Sequence, residues 1–86
     1  MNYTVETTDT FEKEFSKNHR DKKDRLQQIA ERLEQSPQSG KPLRGKLHGL
    51  WQMRIGSFRV WYEIDEKQKK VTLRAIYHKD KVKKFY

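Results

Sequence analysis

The stretch Leu50–Asp65, LWQMRIGSFRVWYEID, alternates apolar with polar or charged residues on both sides of Gly56-Ser57. That is the pattern of two half-buried strands joined by a tight turn. Glycine at the first central position suits a type II′ hairpin. Such a turn pairs Ile55 with Phe58, and then Arg54 faces Arg59, Met53 faces Val60, Gln52 faces Trp61 and Trp51 faces Tyr62. Residues directly opposite share a face. Trp51, Met53, Ile55, Phe58, Val60, Tyr62 and Ile64 therefore line one side, and Gln52, Arg54, Arg59, Trp61 and Glu63 line the other. The first set makes a core. The second puts two arginines side by side, and like charges directly opposite each other destabilise a sheet by roughly a few tenths of a kcal/mol or more. An anion seated there would offset that cost. Two solvated side chains splaying apart is the competing reading.

The chain has 86 residues, enough for one domain over 1–86 with a single small core. Only 33% of it is hydrophobic and the mean hydropathy is -1.21, so the core must draw on its aromatics. The absence of cysteine excludes disulfides, thiolate zinc sites and cysteine nucleophiles. The N-terminus MNYTVETT lacks an apolar secretory region and no run reaches membrane-spanning length, so a soluble cytoplasmic protein without a membrane partner is expected. Charge is divided unevenly. Residues 1–40 hold 7 Lys/Arg against 8 Asp/Glu, and residues 41–86 hold 13 against 4, which accounts for the net +8. A basic half beside a balanced half points to a polyanion contacted by one end of the molecule.

Before the hairpin, Tyr3 and Val5 alternate with Thr4 and Glu6 as a short strand. Thr8 or Asp9 can cap a helix with acidic residues in its first turn, and Phe11 and Phe15 share its inner face. Asn18-His19 interrupts, and Asp21 can cap a second helix whose apolar stripe is Leu26, Ile29, Ala30 and Leu33. Ser36-Pro37 ends it. Gln38–Gly49, QSGKPLRGKLHG, reads as a basic loop in which Leu43 and Leu47 turn inward. After the charged turn EKQKK, Val71–Tyr77 alternates again. Pairing Ile64 with Val71 sets Trp61 opposite Arg74 and Arg59 opposite Ile76. It also puts Val71, Leu73, Ala75 and Tyr77 on the core side and His78 on the arginine side. The fold class is thus α+β, a small antiparallel sheet in the order β-α-α-β-β-β with the helical hairpin on one face.

The exposed side of this meander gathers Arg54, Arg59, Arg74 and His78, with Gln52, Trp61 and Glu63 among them and Lys79, Lys81 and Tyr86 in the tail. Arginine forks match phosphate oxygens, aromatic rings stack on unpaired bases, and histidine transfers protons near neutral pH. These groups suffice for metal-free RNA cleavage, in which a 2′-hydroxyl attacks its own phosphodiester and arginines stabilise the phosphorane. Each also has a plainer use: Arg74 as a surface residue or cation–π partner of Trp61, Glu63 as its neutraliser, His78 as an ordinary strand-end residue. His19 and His48 have no ligand-like spacing to His78, and no Asp/Glu–His cluster suggests a metal. No phosphate-binding loop, nucleotide-binding glycine motif or nucleophile elbow is present.

The order of elements together with LRGKLHGLWQMRIGSFRVWYEI resembles the RelE/ParE superfamily of toxin–antitoxin toxins across essentially the whole chain. The match lies in the leucine–basic–glycine linker and the hairpin pattern R-x-G-x-[YF]-R-[VL]-x-Y. RelE-type members are metal-free ribonucleases that cut mRNA in the ribosomal A site, leave 2′,3′-cyclic phosphate and 5′-hydroxyl ends, and are inhibited by a cognate antitoxin. The resemblance implies that role here, with no cofactor, an acidic RelB-like antitoxin, and the ribosome and mRNA as partners. It implies Arg54, Arg59, His78 and Tyr86 as catalytic residues, with His78-Lys79 resembling the His-Arg of the family's C-terminal motif. RNA and ribosome binding would fall to Lys41, Arg44, Lys46, Gln52, Trp61, Arg74, Lys79, Lys81, Lys83 and Lys84. Gln52 stands where some ribonuclease members carry lysine, and HKDKVKKFY is longer than the compact motif, so Phe85 and Tyr77 compete with Tyr86 for the role of terminal aromatic. ParE-type relatives share the fold, target DNA gyrase and cut no RNA; that is the alternative function.

Overall fold

A computed structural model of the chain describes residues 2–82, with the side chain of Val82 excepted. A five-stranded sheet in the order β1-β5-β4-β3-β2 carries two helices on one face. The strands are β1 (Thr4–Thr7), β2 (Lys41–Pro42), β3 (Trp51–Ile55), β4 (Phe58–Asp65) and β5 (Lys70–His78). The helices are α1 (Asp9–Asn18), α2 (Lys23–Gln35) and a short α3 (Lys79–Val82). From β2 to β5 every pairing is antiparallel, and β1 adds parallel to β5. The β1 and β2 pairings are additions to the meander read from the sequence.

The hairpin has the expected register throughout, from Ile55 opposite Phe58 to Trp51 opposite Tyr62. Gly56 has φ 55° while Ser57 stays at negative φ, as a type II′ turn requires. Thr8 caps α1, its Oγ1 accepting from the Phe11 N–H at 3.0 Å. Asp21 does not cap α2. It lies in a 3₁₀ turn, Arg20–Lys22, where the Lys22 ammonium bonds to it at 3.2 Å and holds its carboxyl below the usual range. The core joins Phe11, Ile29 and Leu33 of the helices to Ile55, Val60, Tyr62, Val71, Leu73 and Ile76 of the sheet.

The last strand departs from the expected register. Tyr62 is opposite Leu73 and Trp61 is opposite Ala75, so Arg74 is the extra residue of a β-bulge. A one-residue bulge exchanges the faces beyond it. Ile76 therefore enters the core opposite Val60, Ala75 and Tyr77 move to the other face, and Arg59 faces Tyr77. His78, opposite Phe58, is on the helix side and not on the arginine side.

Candidate functional site

At the turn end of the hairpin Arg54 and Arg59 are cross-strand neighbours on the face away from the helices. Arg54 is exposed and Arg59 half-buried. Nη1 of Arg59 donates to the carbonyls of Gly56 (3.1 Å) and Phe58 (2.9 Å), which folds the guanidinium back over the turn. Both bonds use one terminal nitrogen, leaving the Nε–Nη2 edge for a bidentate acceptor. Among the described residues no carboxylate pairs with either arginine. Arg74 is different: its Nε donates to Glu63, so its charge is met within the chain.

His78 reaches the same end of the sheet from the opposite face. Its Nδ1 accepts from the Asp80 N–H at 3.2 Å, which in the neutral ring leaves the proton on Nε2. The Asp80 carboxylate is 3.5 Å from the same nitrogen. Phe58 packs perpendicular to the ring with centroids 5.2 Å apart, and on its other contacts meets His19 edge-on at 4.8 Å and the Lys22 ammonium at 4.0 Å. His19 is buried, its Nδ1 has no hydrogen-bond partner among the described residues, and its Nε2 is 3.5 Å from Glu14. A cleft bounded by Glu14, His19, Phe58, His78 and Lys81 opens between α1 and the end of β5. This histidine pair around Phe58 escaped the sequence reading because the bulge brings it together.

Trp61 is buried, where the alternation of the sequence set it on the exposed face. It is 4% exposed, with Leu43, Leu47, Leu50, Ala75 and Tyr77 packed around it as a second small core. Its Nε1–H donates to Gln52 Oε1 at 3.0 Å, and Tyr77 meets it edge-on at 5.3 Å. Gln52 is thereby an anchor for the indole. The loop that covers Trp61 carries Arg44 and Lys46 exposed on its outside.

Lys41 joins Arg54 and Gln52 in one cleft at the β2–β3 edge, to which α2 contributes Arg32. Arg32 gave no signal in the sequence beyond adjoining the core residue Leu33. Lys79 and Lys81 are exposed on α3, whose first N–H bonds to the Ser57 carbonyl at 2.8 Å and ties the tail to the hairpin turn. Tyr86, Phe85, Lys83 and Lys84 lie outside the described residues. Among the described residues no three His, Cys, Asp or Glu side chains converge as a metal site, and no helix is long and apolar enough to cross a membrane.

The family model of the ParE toxin of type II toxin–antitoxin systems, parDE, matches residues 5–82. The chain belongs to the RelE/ParE superfamily of type II toxins. A chain of the RelBE2 toxin–antitoxin complex from Mycobacterium tuberculosis is 30% identical to this toxin, with a TM-score of 0.81 over 91% of this chain and 99% of that one. A mutant of the toxin RelE from E. coli in its free state superposes with a TM-score of 0.78 at 18% identity, over 99% and 92% of the two chains. The YoeB/ParE toxin from Agrobacterium tumefaciens gives 0.72 at 13%, over 87% and 96%. At these last two identities the likeness is one of fold. Several of the similar structures are complexes of RelE with RelB antitoxins. A comparison with curated proteins found no match.

Proposed function

We propose that this toxin is a ribosome-dependent mRNA endonuclease that works without a metal. The observation carrying this reading is the Arg54–Arg59 pair: two arginines directly opposite each other on neighbouring strands, with no carboxylate partner among the described residues. Arg59 ties the turn through one terminal nitrogen, but like charges set opposite each other cost stability, and a phosphodiester accepting from both would turn that repulsion into binding. The open Nε–Nη2 edge of Arg59 suits the non-bridging oxygens, which gain charge as the 2′-oxygen bonds to phosphorus. The 2′-hydroxyl proton passes to a base, the P–O5′ bond breaks, and an acid protonates the leaving oxygen. The products are a 2′,3′-cyclic phosphate and a 5′-hydroxyl.

His78 serves as the proton carrier through Nε2, its ring fixed by the Asp80 N–H. Because it comes from the helix face, the reacting phosphate must sit at the end of the sheet beside Gly56-Ser57, where both faces can be reached. Tyr86 would stack on or orient the cut nucleotide. Lys41, Arg44, Lys46, Lys79 and Lys81 would hold ribosomal RNA or mRNA in a salt-sensitive manner, and a cognate RelB-like antitoxin would silence the toxin.

Inhibition of DNA gyrase is the second reading, favoured by the match to the ParE family model and by the separation of His78 from the arginine face. Induction of the toxin in cells decides between them. Breaks inside translated regions of mRNA, carrying the two end groups above, are expected. A DNA-damage response with intact mRNA would overturn the nuclease in favour of the gyrase reading.

A further inference from the structure

One cleft adjoining the Arg54–Arg59 pair is lined by three cations and, among the described residues, by no carboxylate. It lies between the C-terminal end of α2 and the sheet edge, measures about 350 Å³, and is bounded chiefly by Arg32, Ser39, Gly40, Lys41, Gln52 and Arg54. Its cations come from three elements, α2, β2 and β3, and all three are exposed. None of them forms an ion pair among the described residues. A cleft lined by one sign of charge concentrates counter-ions of the other.

The wall of the cleft is pinned from below. The Gly40 N–H donates to the Tyr62 hydroxyl at 3.0 Å, and that hydroxyl donates to the Pro37 carbonyl at 2.8 Å. No side chain fits at Gly40, where a Cβ would collide with the Tyr62 hydroxyl and the Gln52 carbonyl. Lys41 is thus delivered by a backbone fixed before any ligand arrives, which lowers the ordering cost of binding. β2 pairs only with Trp51 and Gln52, so the β3 edge at Met53 and Arg54 faces the cleft without a strand partner. Arg54 is common to this cleft and to the pair with Arg59 one strand further in, about 4.8 Å away across the sheet.

We propose that the cleft is a second phosphate subsite: Arg32 and Lys41 hold a phosphodiester of the same RNA strand, next to the one that Arg54 and Arg59 hold at the bond that is cut. The assignment rests on the nuclease reading of the Arg54–Arg59 pair. It makes the bound strand run across β4, β3 and β2 toward α2, at right angles to the sheet's strands.

The test uses the whole toxin and a fluorescent 2′-O-methyl oligouridylate, which has no attacking hydroxyl and so binds uncut. Anisotropy titrations between about 50 and about 200 mM salt give affinity and salt slope together. Arg32→Gln and Lys41→Gln are each expected to weaken binding about three- to tenfold and to flatten the slope by about 0.7, the share of one phosphate contact in a single strand. Arg25→Gln removes the same charge elsewhere on α2 and is expected to change neither, with melting curves confirming that all variants fold. The subsite is overturned if Arg32→Gln behaves like Arg25→Gln. It is equally overturned if the wild type does not bind, or if Arg32→Gln weakens only an acidic antitoxin peptide. Cleavage on ribosomes by Arg59→Ala separates the two claims. A parental rate there defeats the nuclease reading, whereas an inactive Arg59→Ala beside an unaffected Arg32→Gln defeats the subsite alone.

Discussion

Replacing Tyr62 by phenylalanine removes one oxygen and tests how the sheet is tied to the loop that carries Lys41. Tyr62 is 0% exposed, and its hydroxyl donates to Pro37 and accepts from the Gly40 N–H. Tyr62→Phe keeps the ring and its stacking on Trp51, with centroids 6.4 Å apart, but orphans a carbonyl and an N–H together. An unsatisfied buried group costs about 1–3 kcal/mol. Pro37 is buried while Gly40 is half-buried, so water relieves one orphan better than the other and the expected loss is about 2 kcal/mol. For a domain of this size that corresponds to about 10 °C in Tm. Urea unfolding followed by circular dichroism should show a lower midpoint with an unchanged slope. Gly40→Ala should cost less in the Tyr62→Phe background than alone, because one of its two collisions is then gone. A midpoint equal to the parent's would refute the claim that this hydroxyl holds the loop.

Three further outcomes follow from the same geometry. Burial pushes the Tyr62 hydroxyl up to about 12, against about 10 in the unfolded chain. The folded state therefore holds that proton longer, and stability should fall as pH rises from about 10 to about 12, a dependence that Tyr62→Phe should lack when the two are unfolded in urea side by side. Trp61→Ala empties the second core and should cost about 3–5 kcal/mol, read from the melting curve; an unchanged Tm with weakened RNA binding would instead make Trp61 a stacking platform. Arg74→Ala breaks only an exposed pair with Glu63 and should change stability by less than about 1 kcal/mol in the same assay, and should leave ribosomal cleavage intact.

What the sequence could and could not disclose follows from the range of the forces involved. The β3–β4 register was legible because Gly56 fixes the turn and a turn fixes every pair that follows it. The helical stripe ending at Leu33 and the cap at Thr8 were local for the same reason. Arg74 hid the bulge: LRAIYH alternates plausibly in either frame and contains no glycine or proline to mark the slip. That one residue moved His78 to the helix side and Tyr77 toward Trp61. Trp61 looked exposed because alternation assigns a face, while it takes tertiary packing, by Leu43 and Leu47 among others, to cover that face. The parallel pairing of β1 with β5 and the entry of Arg32 into the cleft join residues far apart in the chain, and no local pattern encodes either.

The most direct measurement is the rate at which purified toxin cuts mRNA in the A site of purified ribosomes, for the parent and for Arg59→Ala. The parent is expected to cleave and leave a 2′,3′-cyclic phosphate. Arg59→Ala, folded by its melting curve, is expected to be slower by a factor of about 10²–10³, the usual effect of losing one preorganised donor to a developing anion. Intact mRNA with the parent toxin, or equal rates for the two proteins, would contradict the assignment of the arginine pair to phosphodiester cleavage.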